Sequence, residues 1–277
     1  MLAIEIPWDP NLLTIGAFRF TWHSLFAVLG IIAGVIIVRW VGRKALPSDK
    51  LTNLALWAIF GGLIAARALY VLDNWEPQFA GNPGRIFALN EGGITVWGAV
   101  VGGTIAVILT MWLQRASITL GLDLGAPSLI MGMGIGRIGD LINGEHHALP
   151  SDFPWAVTYT HPNTIGQAIS VHPATTYEML GDFFLFGVAL WLARRHLGKG
   201  YAFWAVLGGY SALRLGLQFL RIDQSPIVFG LVQSQILGVI GLGMTAYWLG
   251  RRAVRRTRAR PLGRSAGTAT PAGGATR

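Results

Sequence analysis

The sequence predicts an all-α polytopic membrane protein, seven transmembrane helices with a small extracytoplasmic head. Three observations carry that prediction. Of the 277 residues, 52% are hydrophobic, and the mean hydropathy is +0.50. Charged residues make up only 13%, against about 25% in soluble globular chains. Several apolar runs are about 18 to 22 residues long, enough for a helix to cross a hydrocarbon core of roughly 30 Å.

The spans fall at 22–40, 51–72, 94–114, 124–142, 174–193, 201–218 and 230–250. Residues 1–21 hold acids and two prolines instead of a basic leader, and the first apolar run is long enough to stay in the membrane, so no cleavable signal peptide is expected. The fourth span is short, glycine-rich and ends in charges, which predicts a broken or partly inserted helix lining a cavity. Gly30-x3-Gly34 and Gly98-x3-Gly102 predict close helix packing. At Gly132-x-Gly134-x-Gly136, close approach of the backbone to a ligand rivals that reading.

Loop charges orient the bundle. Arg43, Lys44 and Lys50, Arg115, then Arg194, Arg195 and Lys199 fall on one side and, with eight arginines after Tyr247, give that side 15 basic residues. The other side has Arg19, Arg85 and Arg221. By the positive-inside rule the N-terminus lies outside and the C-terminus in the cytoplasm. Residues 1–250 are expected to form one seven-span catalytic domain, with head segments at 73–93 and 143–173 and a short hairpin around Trp155 to Tyr159. Residues 251–277 read as a basic, disordered cytoplasmic tail held near anionic lipid, not as a nucleic-acid site. The chain has no cysteine, which excludes disulfides, thiolate metal sites and a cysteine nucleophile.

The chemistry concentrates in Gly136-Arg137-Ile138-Gly139-Asp140-Leu141-Ile142-Asn143-Gly144-Glu145. Charge at membrane depth is costly and marks a functional site by default. Arg67, Arg137 and Arg214 all fall toward the outer ends of their spans, where guanidinium forks suit a phospholipid phosphate. Pairing with Asp140, Glu145, Glu178 or Asp182 is the bland reading of the same arginines. Tyr210 and Arg214 stand one helical turn apart, and Gln218 and Arg221 extend that stripe. His146 and His147, in the long outer loop, are read as facing solvent.

Together these residues resemble the signature of bacterial prolipoprotein diacylglyceryl transferase. The match lies in Gly136-Arg137-x-Gly139-x3-Asn143-Gly144-Glu145, His172-Pro173-x3-Tyr177-Glu178, Tyr210-x3-Arg214, Arg67-x2-Tyr70 and Glu91-Gly92-Gly93, in register from about residue 13 to 250. The resemblance implies a multi-pass enzyme of the bacterial cytoplasmic (inner) membrane. It would move the diacylglyceryl group of phosphatidylglycerol to the lipobox cysteine of a prolipoprotein signal peptide and release glycerol phosphate. Neither a metal nor an organic cofactor is implied, and a monomer working among membrane lipids is expected. Arg137 and Arg214 would take the phosphate, with Tyr210 on the phosphate or the glycerol. Asn143 and Glu145 would orient Arg137 and the glycerol hydroxyls. Asp140, Gly144, His172 and Arg67 complete the expected substrate-binding set, Arg67 and Glu178 being the more structural members.

The pattern departs from the family at identifiable places. Trp97-Gly98 stands where a His-Gly pair is usual, and His23 stands where the family has tyrosine. Asp140 replaces an asparagine, Ala148 a glycine and Gln218 a glutamate. One reading rewires the site so that His23 becomes the base. The alternatives are a divergent member with altered or lost transferase activity that binds lipid headgroups, and a transporter on the same scaffold.

Overall fold

The computed structural model describes residues 3–16, 18–88, 93–224, 226 and 229–258. Glu91, Gly92 and the tail beyond Arg258, on which expectations were placed, lie outside the described residues.

Seven long helices form the body: α1 (Trp22–Gly42), α2 (Ser48–Asp73), α3 (Val96–Leu113), α4 (Ile118–Asn143), α5 (Ala174–His196), α6 (Tyr201–Gln218) and α7 (Gln233–Arg258). Among the described residues, α1 to α5 are long and apolar enough to cross a membrane. Their outer faces carry exposed Ile36, Trp57, Ile64, Trp112 and Phe184, a surface suited to lipid. Capping fixes several starts. Thr21, Thr95 and Ser117 each accept a hydrogen bond from the amide three residues on, at Ser24, Gly98 and Leu120, which satisfies donors the helix leaves free.

The central helix is α4, packed against α1, α3, α5 and α6. Two apolar clusters flank it. Ala126 and Ile130 meet Leu185, Ala189, Val206 and Tyr210 on the α5–α6 side. Leu124 meets Val38, Leu51, Leu54, Val107 and Met111 on the other. This overturns the expectation of a broken fourth span: α4 runs unbroken for 26 residues and begins at Ile118, with Pro127 inside it. Packing on all sides holds the helix through the backbone bond that Pro127 cannot make. The last helix also runs further than the sequence boundary, to Arg258.

Helix ends gather at two poles. At one, Lys50 at the start of α2 bonds the Gln114 carbonyl after α3 (3.3 Å), and Arg252 of α7 bonds the Lys199 carbonyl before α6 (3.0 Å). There Asp123 of α4 caps α6 from outside, accepting from the amides of Gly200 (2.8 Å) and Phe203 (3.2 Å). At the other pole Gln233 of α7 reaches Asp73 of α2 (3.3 Å).

That second pole also carries the non-helical parts. They include four short strands, so the fold is helical with a small β head and not wholly α. The strand β1 (Ile4–Ile6) pairs in parallel with β4 (Val157–Tyr159), and β2 (Asn11–Ile15) pairs antiparallel with β3 (Phe18–Thr21). The hairpin expected around Trp155 is therefore corrected. The strand there pairs with the N-terminal segment and bridges to Val171. Burial of Ile6, Val157, Tyr159 and Val171 in one cluster rewards that long-range pairing over a local turn.

Candidate active site

At the head end of the bundle, α4, α5 and α6 bring five charged or polar side chains together. Glu178 of α5, 1% exposed, is the hub. Its Oε1 accepts from Arg137 NH2 (2.8 Å) and from the Tyr210 hydroxyl (2.9 Å). Its Oε2 accepts from Arg214 NH1 (2.9 Å) and lies 3.7 Å from Arg221 NH1. Arg137 NH1 also reaches Asp140 (2.6 Å), and Arg221 pairs with Asp223 (2.6 Å). A buried ion pair persists only where geometry and extra hydrogen bonds offset desolvation. Here three guanidinium groups share three carboxylates.

Two features of the chain let α4 present its polar end. Gly139 lets α1 approach closely, since a Cβ there would stand 2.6 Å from the His23 Cα. Gly144 ends the helix in the left-handed region at φ 81°, where glycine is unstrained. Past the turn, Glu145 lies beside Asn143 and His23, and His146 lies against Arg137 and Arg221. Asn143 Nδ2 donates to Glu145 (3.1 Å). The His23 Nδ1 is hydrogen-bonded to Asp140 and lies 3.8 Å from Glu145. The ligand atoms of His23, Asp140 and Glu145 lie close enough to share a cation. Asp140 is already engaged by Arg137 and His23, so the trio reads as a hydrogen-bonded group beside a guanidinium.

The structure thus gathers Arg137, Asp140, Asn143, Glu145, Tyr210, Arg214, Glu178 and His23 at one place. Other expected members sit elsewhere. Arg67 donates to the carbonyls of Arg85 (2.7 Å), Ile86 (2.8 Å) and Gly93 (2.9 Å) and lies over the rings of Tyr70 and Phe79. His172 belongs to an aromatic group with Phe153 and Tyr177. Gly144 acts as a helix terminator. Gln218 faces Ser234 of α7 (2.8 Å). Trp97 packs on the Tyr210 ring at 6.0 Å between centroids.

Sequence reasoning missed two residues, His146 and Asp223, and placed Arg221 on the polar stripe without assigning it to the cluster. The His146 Nε2 lies 2.8 Å from Arg137 NH1, and its Nδ1 lies 2.8 Å from Arg221 NH2 and 3.2 Å from Asp223. Only His147 turns away, to the Ile165 carbonyl (2.7 Å). The stripe reading held for Arg221, which lies two helical turns past Arg214 and reaches Glu178 and Asp223. Burial alone would raise the Asp223 carboxyl, but hydrogen bonds from His146 and Arg221 outweigh it and hold the group well below the usual carboxylate range. Burial pushes the Tyr159 hydroxyl above its ordinary range, so it stays a neutral donor to the Leu141 carbonyl (2.9 Å).

Some buried polar atoms in the cluster have no partner: Arg214 Nε, Asn143 Oδ1 and both oxygens of Asp182, one turn below Glu178. Buried polar groups are normally satisfied. An unmet arginine donor and an unmet amide acceptor suit an anion that also carries hydroxyl groups.

Comparison with known proteins gives a consistent picture. The family model described as prolipoprotein diacylglyceryl transferase matches residues 10–250. Phosphatidylglycerol–prolipoprotein diacylglyceryl transferase of Trichormus variabilis is 33% identical over 263 residues, covering 91% of this chain and 92% of the relative. The protein of that name in Gloeobacter violaceus is 33% identical over 258 residues, 89% and 95% of the two chains. That of Halalkalibacterium halodurans is 30% identical over 254 residues, 89% and 88%.

Proposed function

The chain belongs to the prolipoprotein diacylglyceryl transferase family, and from that membership we propose the following reaction at the arginine cluster. The diacylglyceryl group of phosphatidylglycerol is transferred to the lipobox cysteine thiol of a prolipoprotein. The thiol sulfur attacks the glyceryl carbon, the carbon–oxygen bond to phosphate breaks, and glycerol phosphate leaves. Charge develops on the phosphate oxygen, and fixed cations aimed at it lower the barrier.

Arg214 and Arg137 hold the phosphate, with Tyr210 beside it. The unmet Arg214 Nε is the observation that carries this assignment. Asn143, whose Oδ1 is also unmet, and Glu145 take the glycerol hydroxyls. His23 is the base. With Asp140 on its Nδ1, its Nε2 lone pair is left to accept the thiol proton, the logic of carboxylate-oriented histidines. Gly144 gives the turn its shape, and Arg67 and His172 build the head around it. The seven helices cross the bacterial cytoplasmic membrane with the head and N-terminus outside, and residues 1–250 work as one monomeric domain.

The test is a transfer assay in phosphatidylglycerol vesicles with a peptide bearing one lipobox cysteine, read by peptide mass. A diacylglyceryl gain is expected from the wild type. Arg137→Ala should abolish it while the protein still inserts, because removing one aligned cationic donor costs about 10²–10³ in rate. Full activity in Arg137→Ala would remove Arg137 from the phosphate site.

A further inference from the structure

His146 is a solvent-side loop residue by sequence and a cluster residue by geometry. Its imidazole sits between two guanidinium groups. Arg137 NH1 donates to Nε2 (2.8 Å), and Arg221 NH2 stands 2.8 Å from Nδ1. Both arginines are held in place by carboxylates. Arg137 is bound to Asp140 (2.6 Å) and Glu178 (2.8 Å). The Nε and NH2 of Arg221 form a fork on the two oxygens of Asp223 (3.0 and 2.6 Å). Two fixed cations therefore aim N–H donors at the place the ring fills.

An imidazole cannot answer both. In its neutral form it carries one acceptor nitrogen and one N–H. If Nε2 accepts from Arg137, the Nδ1–H donates to Asp223 (3.2 Å) and stands against Arg221 NH2. If Nδ1 accepts from Arg221, the Nε2–H stands against Arg137, with Asp140 Oδ2 3.6 Å away, too far for a good hydrogen bond. A protonated ring opposes both arginines. In every state a donor faces a donor. A phosphate has the opposite character: several acceptor oxygens on one centre and a negative charge, the preferred partner of guanidinium forks. The backbone is poised in the same sense. His146 has φ 73°, one of three non-glycine residues in the left-handed region among those described, and such conformations cost free energy and persist where the surroundings impose them. Here Leu149 pairs with Leu220 (2.9 Å) and Ile222 with His147 (3.1 Å), so the chain stays fixed while the ring, 25% exposed, has a way out to water.

We infer that the lipid phosphate binds between Arg137 and Arg221 by displacing the His146 ring, so that His146 is a gate on the phosphate seat and Arg221 a third arginine on the phosphate. This rests on the transferase reading and adds to it a competitor built into the chain. Binding exchanges one neutral acceptor, which leaves an arginine donor opposed, for charge-assisted hydrogen bonds to both arginines. Asp223 acts as a positioning residue, since its fork on Arg221 keeps that donor aimed at the seat when the ring has left. The same competition acts after transfer. Glycerol phosphate is a monoester carrying up to about two negative charges near neutral pH, and the returning ring opposes its retention.

The test is calorimetric binding of glycerol phosphate to the purified full chain in detergent, with KM for phosphatidylglycerol measured in the vesicle transfer assay. His146→Ala removes the competitor and should tighten glycerol phosphate about tenfold, the scale of one hydrogen bond to a charged group, and lower KM by a similar factor. His146→Glu places a carboxylate where it can pair with both arginines. It should weaken binding about tenfold or more by the same scale while the protein melts higher than wild type. Adding Arg221→Gln to His146→Ala should cancel the tightening, and His147→Ala, as a neighbouring control, should bind like wild type. A merely structural His146 would give the reverse for His146→Ala: a lower melting temperature and weaker binding. Equal or weaker binding by His146→Ala, no binding by either it or wild type, or wild-type affinity in His146→Glu overturns the gate. The two readings fail separately. Transfer by wild type with no tightening in His146→Ala removes the gate alone. The expected binding pattern with no transfer keeps the anion seat and removes the transferase reading.

Discussion

Glu178 decides whether the arginine cluster holds together. It accepts from Arg137, Tyr210 and Arg214 while almost wholly buried. Glu178→Gln keeps the shape and removes the charge, leaving guanidinium groups underpaired in a dry site. Breaking a buried pair from one side typically costs about 3–5 kcal/mol. The variant should melt well below wild type in detergent, and Tyr210→Phe, which removes one neutral donor, should melt only slightly lower. Equal melting of Glu178→Gln and wild type would mean that water reaches the cluster. At this scale the sequence was a good guide to which residues carry charge in the membrane, and a poor one to their partners. Arg137, Arg214, Glu178 and Asp140 stand out because charge in an apolar run is visible. His146 and Asp223 do not, because each sits in a polar loop where the bland reading is solvent. Only the left-handed turn after Gly144 and the pairing of 147–149 with 220–222 carry them inward.

Apolar run length and the changes between charged and apolar stretches place most helix ends within a few residues, the start of α4 and the end of α7 excepted. What they misjudge is α4, where glycine and charge suggested weakness. A helix packed on four neighbours does not need high intrinsic propensity, since tertiary burial supplies the stability. The strands of the head were equally hidden, because β1 and β4 are three residues each and more than 150 positions apart. One inter-helix device can be tested directly. Asp123 caps α6 across space, taking the amides of Gly200 and Phe203, and no local pattern near residue 200 reveals it. Asp123→Ala should remove a cap worth about 0.5–2 kcal/mol. Amide exchange at Gly200 and Phe203 should then accelerate about tenfold, with the α4 amides near Arg137 unchanged. Unchanged exchange at Gly200 and Phe203 would assign the start of α6 to its glycine alone.

At the scale of the molecule, orientation follows from where charge meets geometry. The pole made by residues 43–50, 114–117 and 197–200 and the end of α7 carries Arg43, Lys44, Lys50, Arg115, Lys199, Arg251 and Arg252, whereas the head pole carries Arg19, Arg85 and Arg221. Of these last three, Arg221 is buried in the cluster beside Asp223, so the charge left to face water on that side is smaller still. The asymmetry predicts the head outside and the basic pole in the cytoplasm, which places the arginine cluster at the outer headgroup level. The absence of native cysteine makes this directly measurable. Asn163→Cys in the exposed head and Lys44→Cys at the basic pole each introduce one reactive thiol without touching the cluster. A membrane-impermeant maleimide added to intact cells should label Asn163→Cys and not Lys44→Cys, and permeabilised cells should label both. Labelling of Lys44→Cys alone in intact cells would invert the molecule. The cluster would then face the cytoplasmic leaflet, and an acceptor cysteine presented at the outer surface could not reach Arg137 or Arg214.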